Sequence, residues 1–269
     1  MEQMKIYPYL IDEKRLAGYY EILLDNKFKL VEYNKNQDKE FYDYFLPKTR
    51  NFVFWTFNLR EAEEITKQEF NKMSNDLKAC TCGNYFCNVF EKENTIVICF
   101  ETGICLAVTS DDKILKKLKE YEETENLEEI NLRKEKSYDL PVEIKEEEVN
   151  SKNPRLMLYV LQIYKDIFLK KVQKEMQKED DFEKSRASFV KFTENIYNIE
   201  ETDQKEEKKL VEKWKQNLEI DKTYLKAEDQ FDLLYKNNKL NYNSDLTKFS
   251  IALFIVAIII GIINLSTLF

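Results

Sequence analysis

Hydrophobic positions change their spacing along this chain, and each change predicts a change of structure. Up to about residue 110 the apolar residues come in short runs separated by turn residues, as strands interleaved with helices do. MKIYPYLI and KFKLVEY read as strands flanking a helix around Lys14 to Leu24. NFVFWTF (Asn51–Phe57) reads as a buried aromatic strand. After it, REAEEITKQEFNKMSNDLK carries Ile65, Phe70, Met73 and Leu77 at helical spacing. Three further runs, NYFCNVFE, NTIVICFE and ICLAVTS, are joined by the turn-forming EKEN and ETG, which predicts an antiparallel meander.

Beyond the meander the pattern turns acidic and then helical. Ser110 or Asp111 is placed to cap a helix running toward Glu123. Residues 133–153 have poor periodicity and read as an acidic linker with one short strand. From Pro154, a first-turn proline behind an Asn153 cap, Leu156, Val160, Ile163, Tyr164, Ile167, Phe168, Val172 and Met176 form one stripe. A second helix from Asp180 to Ile199 carries Phe182, Phe189, Phe192 and Ile196.

The third helix begins near Thr202 and meets neither Gly nor Pro before Gly261. Unbroken, it spans about 90 Å at about 1.5 Å per residue, far more than a globular helix. A heptad placed on it puts Trp214, Leu218, Leu225, Tyr235, Tyr242 and Leu246 on a single seam, interrupted by acidic residues. Such a seam predicts packing between stalks of neighbouring subunits. Residues 249–269 carry no charge and are almost wholly apolar, enough to reach about 30 Å across a bilayer's hydrocarbon core.

The predicted fold is therefore α+β: an N-terminal mixed α/β domain with an antiparallel meander, a long helical bundle and stalk, and one C-terminal transmembrane helix. The corresponding segments are a cytosolic α/β domain at 1–132, the acidic linker at 133–153, a helical hairpin and stalk at 154–248, and the membrane helix at 249–269. The first residues lack the basic start and apolar core of a signal peptide. Lys236, Lys239 and Lys248 outnumber Asp245 ahead of the apolar segment. Both features predict a single-pass protein of the cell membrane with a C-terminal anchor and its body in the cytoplasm.

Composition narrows the chemistry. The net charge of −8 argues against non-specific nucleic-acid binding. With no histidine in the chain, Ser-His-Asp and Cys-His catalytic pairs and His-liganded zinc cannot be built. The four glycines form neither a P-loop nor a dinucleotide fingerprint, so a conventional enzyme is not expected. Five cysteines without a signal peptide fit reduced thiols. Cys80, Cys82 and Cys87 make a C-x-C-x4-C spacing to which Cys99 or Cys105 would add a fourth ligand, yet Cys87, Cys99 and Cys105 sit in predicted strands, where a thiol usually serves as core. Zinc is thus disfavoured, and no cofactor is expected beyond a divalent cation at acidic seam positions. Asn264 is the one strongly polar group inside the apolar segment.

Three passages resemble the CorA-type magnesium transporters. FVFWTFNLREAEEITKQEF looks like that family's strand and acidic helix, ENTIVICFETGICLAVTSDD like its paired strands, and NPRLMLYVLQIYKDIFLKKVQKEM like its first long helix. The resemblance implies an oligomer that conducts magnesium or another ion. The family's Gly-Met-Asn loop and second membrane helix have no counterpart here, so the filter does not carry over. The leading expectation is a membrane-anchored homo-oligomer, associating through its stalk, that conducts ions or permeabilises the membrane under control of its cytosolic domain. In it Ser250, Gly261 and Asn264 would ring an axis or mark the membrane interface. The alternative is a non-conducting tether or scaffold whose α/β domain binds a protein partner.

Overall fold

The structure, a computed structural model, describes residues 3–31, 38–46, 87–121, 137–176 and 182–236. It is α+β, built on one antiparallel sheet. The strands are β1 (Lys5–Leu10), β2 (Lys29–Leu30), β3 (Cys87–Lys92), β4 (Thr95–Phe100), β5 (Ile104–Thr109) and β6 (Tyr138–Asp139), in the order β2-β3-β4-β5-β1-β6. The predicted meander is β3-β4-β5. Of the predicted strand KFKLVEY, the described residues 27–31 hold two in β2, and NFVFWTF with the helix after it lies outside the described residues.

The hairpin between β4 and β5 turns at Phe100–Gly103, where the Gly103 amide donates to the Phe100 carbonyl at 3.0 Å. Gly103 has φ +77°, and a Cβ there would lie 2.1 Å from the Ile11 carbonyl oxygen. Only glycine fits. The same residue joins β1 to the sheet, since the Ile11 amide donates to the Gly103 carbonyl at 2.9 Å. Strand alternation then turns the Pro8 nitrogen away from β5, toward the side where β6 pairs only with Lys5 and Ile6. Buried Pro8 has no N–H to leave unsatisfied there.

Both faces of the sheet are covered, so β4 and β5 are buried along their whole length. This is why their sequences read as continuous apolar runs instead of alternating. On one face Tyr9, Phe90, Val97, Cys99, Cys105 and Ala107 pack with α1 (Leu16–Asp25) and α3 (Asp112–Lys119). The Asp111 carboxylate caps α3, accepting from the Lys113 and Ile114 amides at 2.8 and 3.1 Å. A short helix, α2 (Lys39–Tyr44), stands apart from any sequence expectation.

The other face carries α4 (Pro154–Glu175), with Phe100 stacked on Tyr164 at 3.9 Å. Asn153 caps α4 through its side chain, accepting from the Leu156 amide at 3.0 Å. The predicted stripe faces inward, but so does the rest: Leu158, Tyr159, Leu161, Gln162, Lys165, Asp166 and Leu169 are buried too. A second layer covers this far side. Its α5 (Phe182–Phe192) stacks Phe192 on Phe168 at 4.4 Å, and its α6 (Lys205–Asn217) sets Trp214 against Tyr159 at 5.2 Å. Each fully buried large apolar side chain stabilises the fold by about 1.5–3 kcal/mol. A helix enclosed on all sides is core.

The unbroken third helix is not formed. α6 starts at Lys205, three residues after the expected start, and stops at Asn217. Glu219 takes a left-handed φ of +52° and its amide donates to the Gln216 carbonyl at 3.1 Å, the closing geometry of a helix C-terminus. A new helix, α7, occupies residues 220–236. The stop lets Trp214 on one helix and Ile220 on the next both be buried. The chain divides into two compact units, 1–223 and 224–269. Among the described residues no helix is long and apolar enough to cross a membrane, and 249–269 lies outside them.

Candidate functional site

The candidate site grows from one buried charge. Lys165 lies in the middle of α4, between Tyr164 and Asp166, and is fully buried. Its ammonium forms an ion pair with Glu201, which is 4% exposed and belongs to the 198–204 connection between α5 and α6. Gln162 Nε2, one turn earlier on α4, donates to the same Glu201 oxygen at 3.3 Å and to the Leu158 carbonyl at 3.2 Å. The Glu201 carbonyl in turn accepts from the Leu46 amide at 2.9 Å. One residue therefore ties α4, the connection and the segment after α2 together.

Electrostatics follow from this burial. Loss of water pushes the Lys165 ammonium below its ordinary pKa, with Glu201 pulling the other way. Burial alone would raise Glu201, but the Lys165 and Lys215 charges outweigh it and hold the carboxyl below its usual range. Both partners lose hydration on folding, so the pair fixes position more than it adds stability.

A cleft of about 440 Å3 opens beside Glu201. Its walls are Tyr197, Asn198, Glu200, Glu201 and Thr202 on one side and Lys208, Val211, Glu212 and Lys215 of α6 on the other. A single π-helical turn, Thr193–Tyr197, ends α5 at the rim. Such turns insert a residue into the helical register and recur at functional sites. Here the Tyr197 hydroxyl donates to Asp221 at 2.8 Å. The rim lysines are held by exposed carboxylates, Lys208 by Glu200 and Lys215 by Glu212 at 3.3 Å. The Lys208 pair is exposed, and such pairs contribute little and exchange readily for other polar partners, whereas Lys215 is largely buried beside Glu201. The cleft thus offers interspersed Lys and Glu side chains beside the buried Glu201 carboxylate, an arrangement suited to holding a polar segment.

The residues singled out from sequence are dispersed. Trp214 is 1% exposed inside its own unit, and Leu218 follows it at the end of α6. Leu225 and Tyr235 stand on residues 220–236, exposed by 57% and 44%. Tyr242, Leu246, Ser250, Gly261, Asn264, Cys80 and Cys82 lie outside the described residues. Cys87 is buried opposite Phe100 on β3, whereas Cys99 and Cys105 face the α1 side of the sheet. Strand alternation therefore keeps those two from completing a ligand set with Cys87. Among the described residues no group of three or more His, Cys, Asp or Glu is placed to hold a metal ion.

The sequence reading missed Lys165, Gln162 and Glu201. Lys165 interrupts an apolar stripe, a signal shared by any solvent-facing position, and Glu201 is one acid in the run IEETD. Comparison with protein-family models, curated proteins and solved structures yields no match for this chain.

Proposed function

We propose that this chain is a membrane-tethered binding protein, whose α+β body engages a polar protein partner at the Glu201 cleft while residues 249–269 hold it at the bilayer. The interior position of Trp214 carries this reading. A stalk that packs against neighbouring copies must present its seam outward, and Trp214 is spent on its own core against Tyr159. The left-handed Glu219 adds to it, because it ends α6 and so interrupts the seam that a continuous stalk would need. The apolar length of 249–269 supports the tether itself.

A second reading, self-assembly into an ion-conducting ring, draws on a different observation. Leu225, Leu233 and Tyr235 are exposed on residues 220–236, where a second copy would cover them. Light scattering coupled to size exclusion on the full-length, detergent-extracted protein separates the two. The tether gives a monomer or dimer, and exchange of 249–269 for an unrelated membrane helix leaves both stoichiometry and membrane recovery unchanged. A closed ring of several subunits that collapses on the exchange overturns it.

A further inference from the structure

Outside the cleft, the structure sets two cysteines directly against each other. Cys99 on β4 and Cys105 on β5 are paired residues in the antiparallel register, pointing to the same face. Opposed residues in such a ladder have Cα atoms about 4.5–5.5 Å apart, inside the span a disulfide bridges. Four residues along the same face, the Thr95 and Thr109 hydroxyls meet at 2.8 Å, so side chains across this strand pair approach to contact. The hairpin turn at Gly103 lies just beyond the pair and fixes its register.

We propose that Cys99 and Cys105 are a dithiol–disulfide couple, a modification site closed by exchange with a small-molecule disulfide of the glutathione type. The Cys99 thiolate attacks one sulfur of the small disulfide, and one equivalent leaves as its thiol. The Cys105 thiolate then attacks Cys99 Sγ in the mixed disulfide and expels the second equivalent. Two cysteine protons end on the two released thiols, the small disulfide is reduced, and the protein gains one S–S bond. Both thiols are fully buried, so exchange proceeds through local opening of the hairpin end and is slow in the resting protein. Cys87, on the other face, is left out of the couple.

The sequence makes the test unambiguous. Trypsin releases Glu93–Lys113, whose two cysteines are Cys99 and Cys105, while Cys80, Cys82 and Cys87 fall in the preceding peptide. Full-length protein is incubated with glutathione disulfide under native conditions, quenched over a time course, alkylated and mapped by mass. The proposal expects Glu93–Lys113 to appear unalkylated and lighter by two hydrogens, reverting to the doubly alkylated form after dithiothreitol. Cys105→Ser, or Cys105→Ala should the serine variant fail to fold, must abolish that species. A peptide that stays doubly alkylated while the protein remains folded overturns the proposal, as does cross-linking of Cys99 or Cys105 to a different cysteine.

Discussion

At the scale of single residues, two carboxylates behave against the habit of an acidic surface. Glu201 is buried to neutralise Lys165, so removing either partner strands a charge in the core. Lys165→Met should cost about 3–5 kcal/mol in urea unfolding. The double variant Lys165→Met/Glu201→Leu should recover most of that loss, because the penalty belongs to the orphaned charge. Glu101, beside the Gly103 turn, shows the opposite environment. Burial pushes its carboxyl up to about 7, with Lys191 opposing and Glu13 adding. The folded state then holds this proton more tightly than the unfolded chain. The Glu101 contribution to stability is full below about 4.5 and falls as pH rises toward 7. Glu101→Gln should remove that slope and raise stability above neutrality by on the order of 1–2 kcal/mol, as thermal unfolding across pH would show. Neither residue was legible beforehand. Glu201 lies 36 positions from Lys165, and no local pattern says which acid among many will be enclosed.

Among elements, legibility tracked how local the deciding interaction is. The β3-β4-β5 meander was readable because each strand pairs with its neighbour in sequence across a turn. The Asp111 and Asn153 caps were readable for the same reason. The place of β1 between β5 and β6 was not, because that pairing joins distant segments. The stop at Glu219 was hidden by chemistry. A left-handed residue closing a helix is usually glycine, and NLEID contains none. Glu219 bears the steric cost of φ +52°, so Glu219→Gly should stabilise the fold by a few tenths to about 1 kcal/mol. If 205–236 were one continuous helix, the same substitution would destabilise by a similar amount, and chemical denaturation tells the two apart.

For the whole molecule, the useful distinction is between residues that hold the body together and residues that meet other molecules. Trp214→Ala should lower stability by about 3–5 kcal/mol and leave the subunit count unchanged. Leu225→Glu, at an exposed position, should leave the melting temperature within the range of ordinary surface changes. A reversed pair of results, with Trp214→Ala altering stoichiometry and sparing the fold, would return the stalk to the interface. The long-range pairing of β1 also bears on how the protein is made. Lys5 lies opposite Thr109 on one side and Asp139 on the other, so β1 leaves the ribosome well before either partner strand. The sheet cannot close until synthesis has passed residue 139, and a nascent chain halted earlier carries KIYPYL with no native strand beside it. Pro8 makes that wait safer, since a strand lacking one amide is a poor template for another nascent chain.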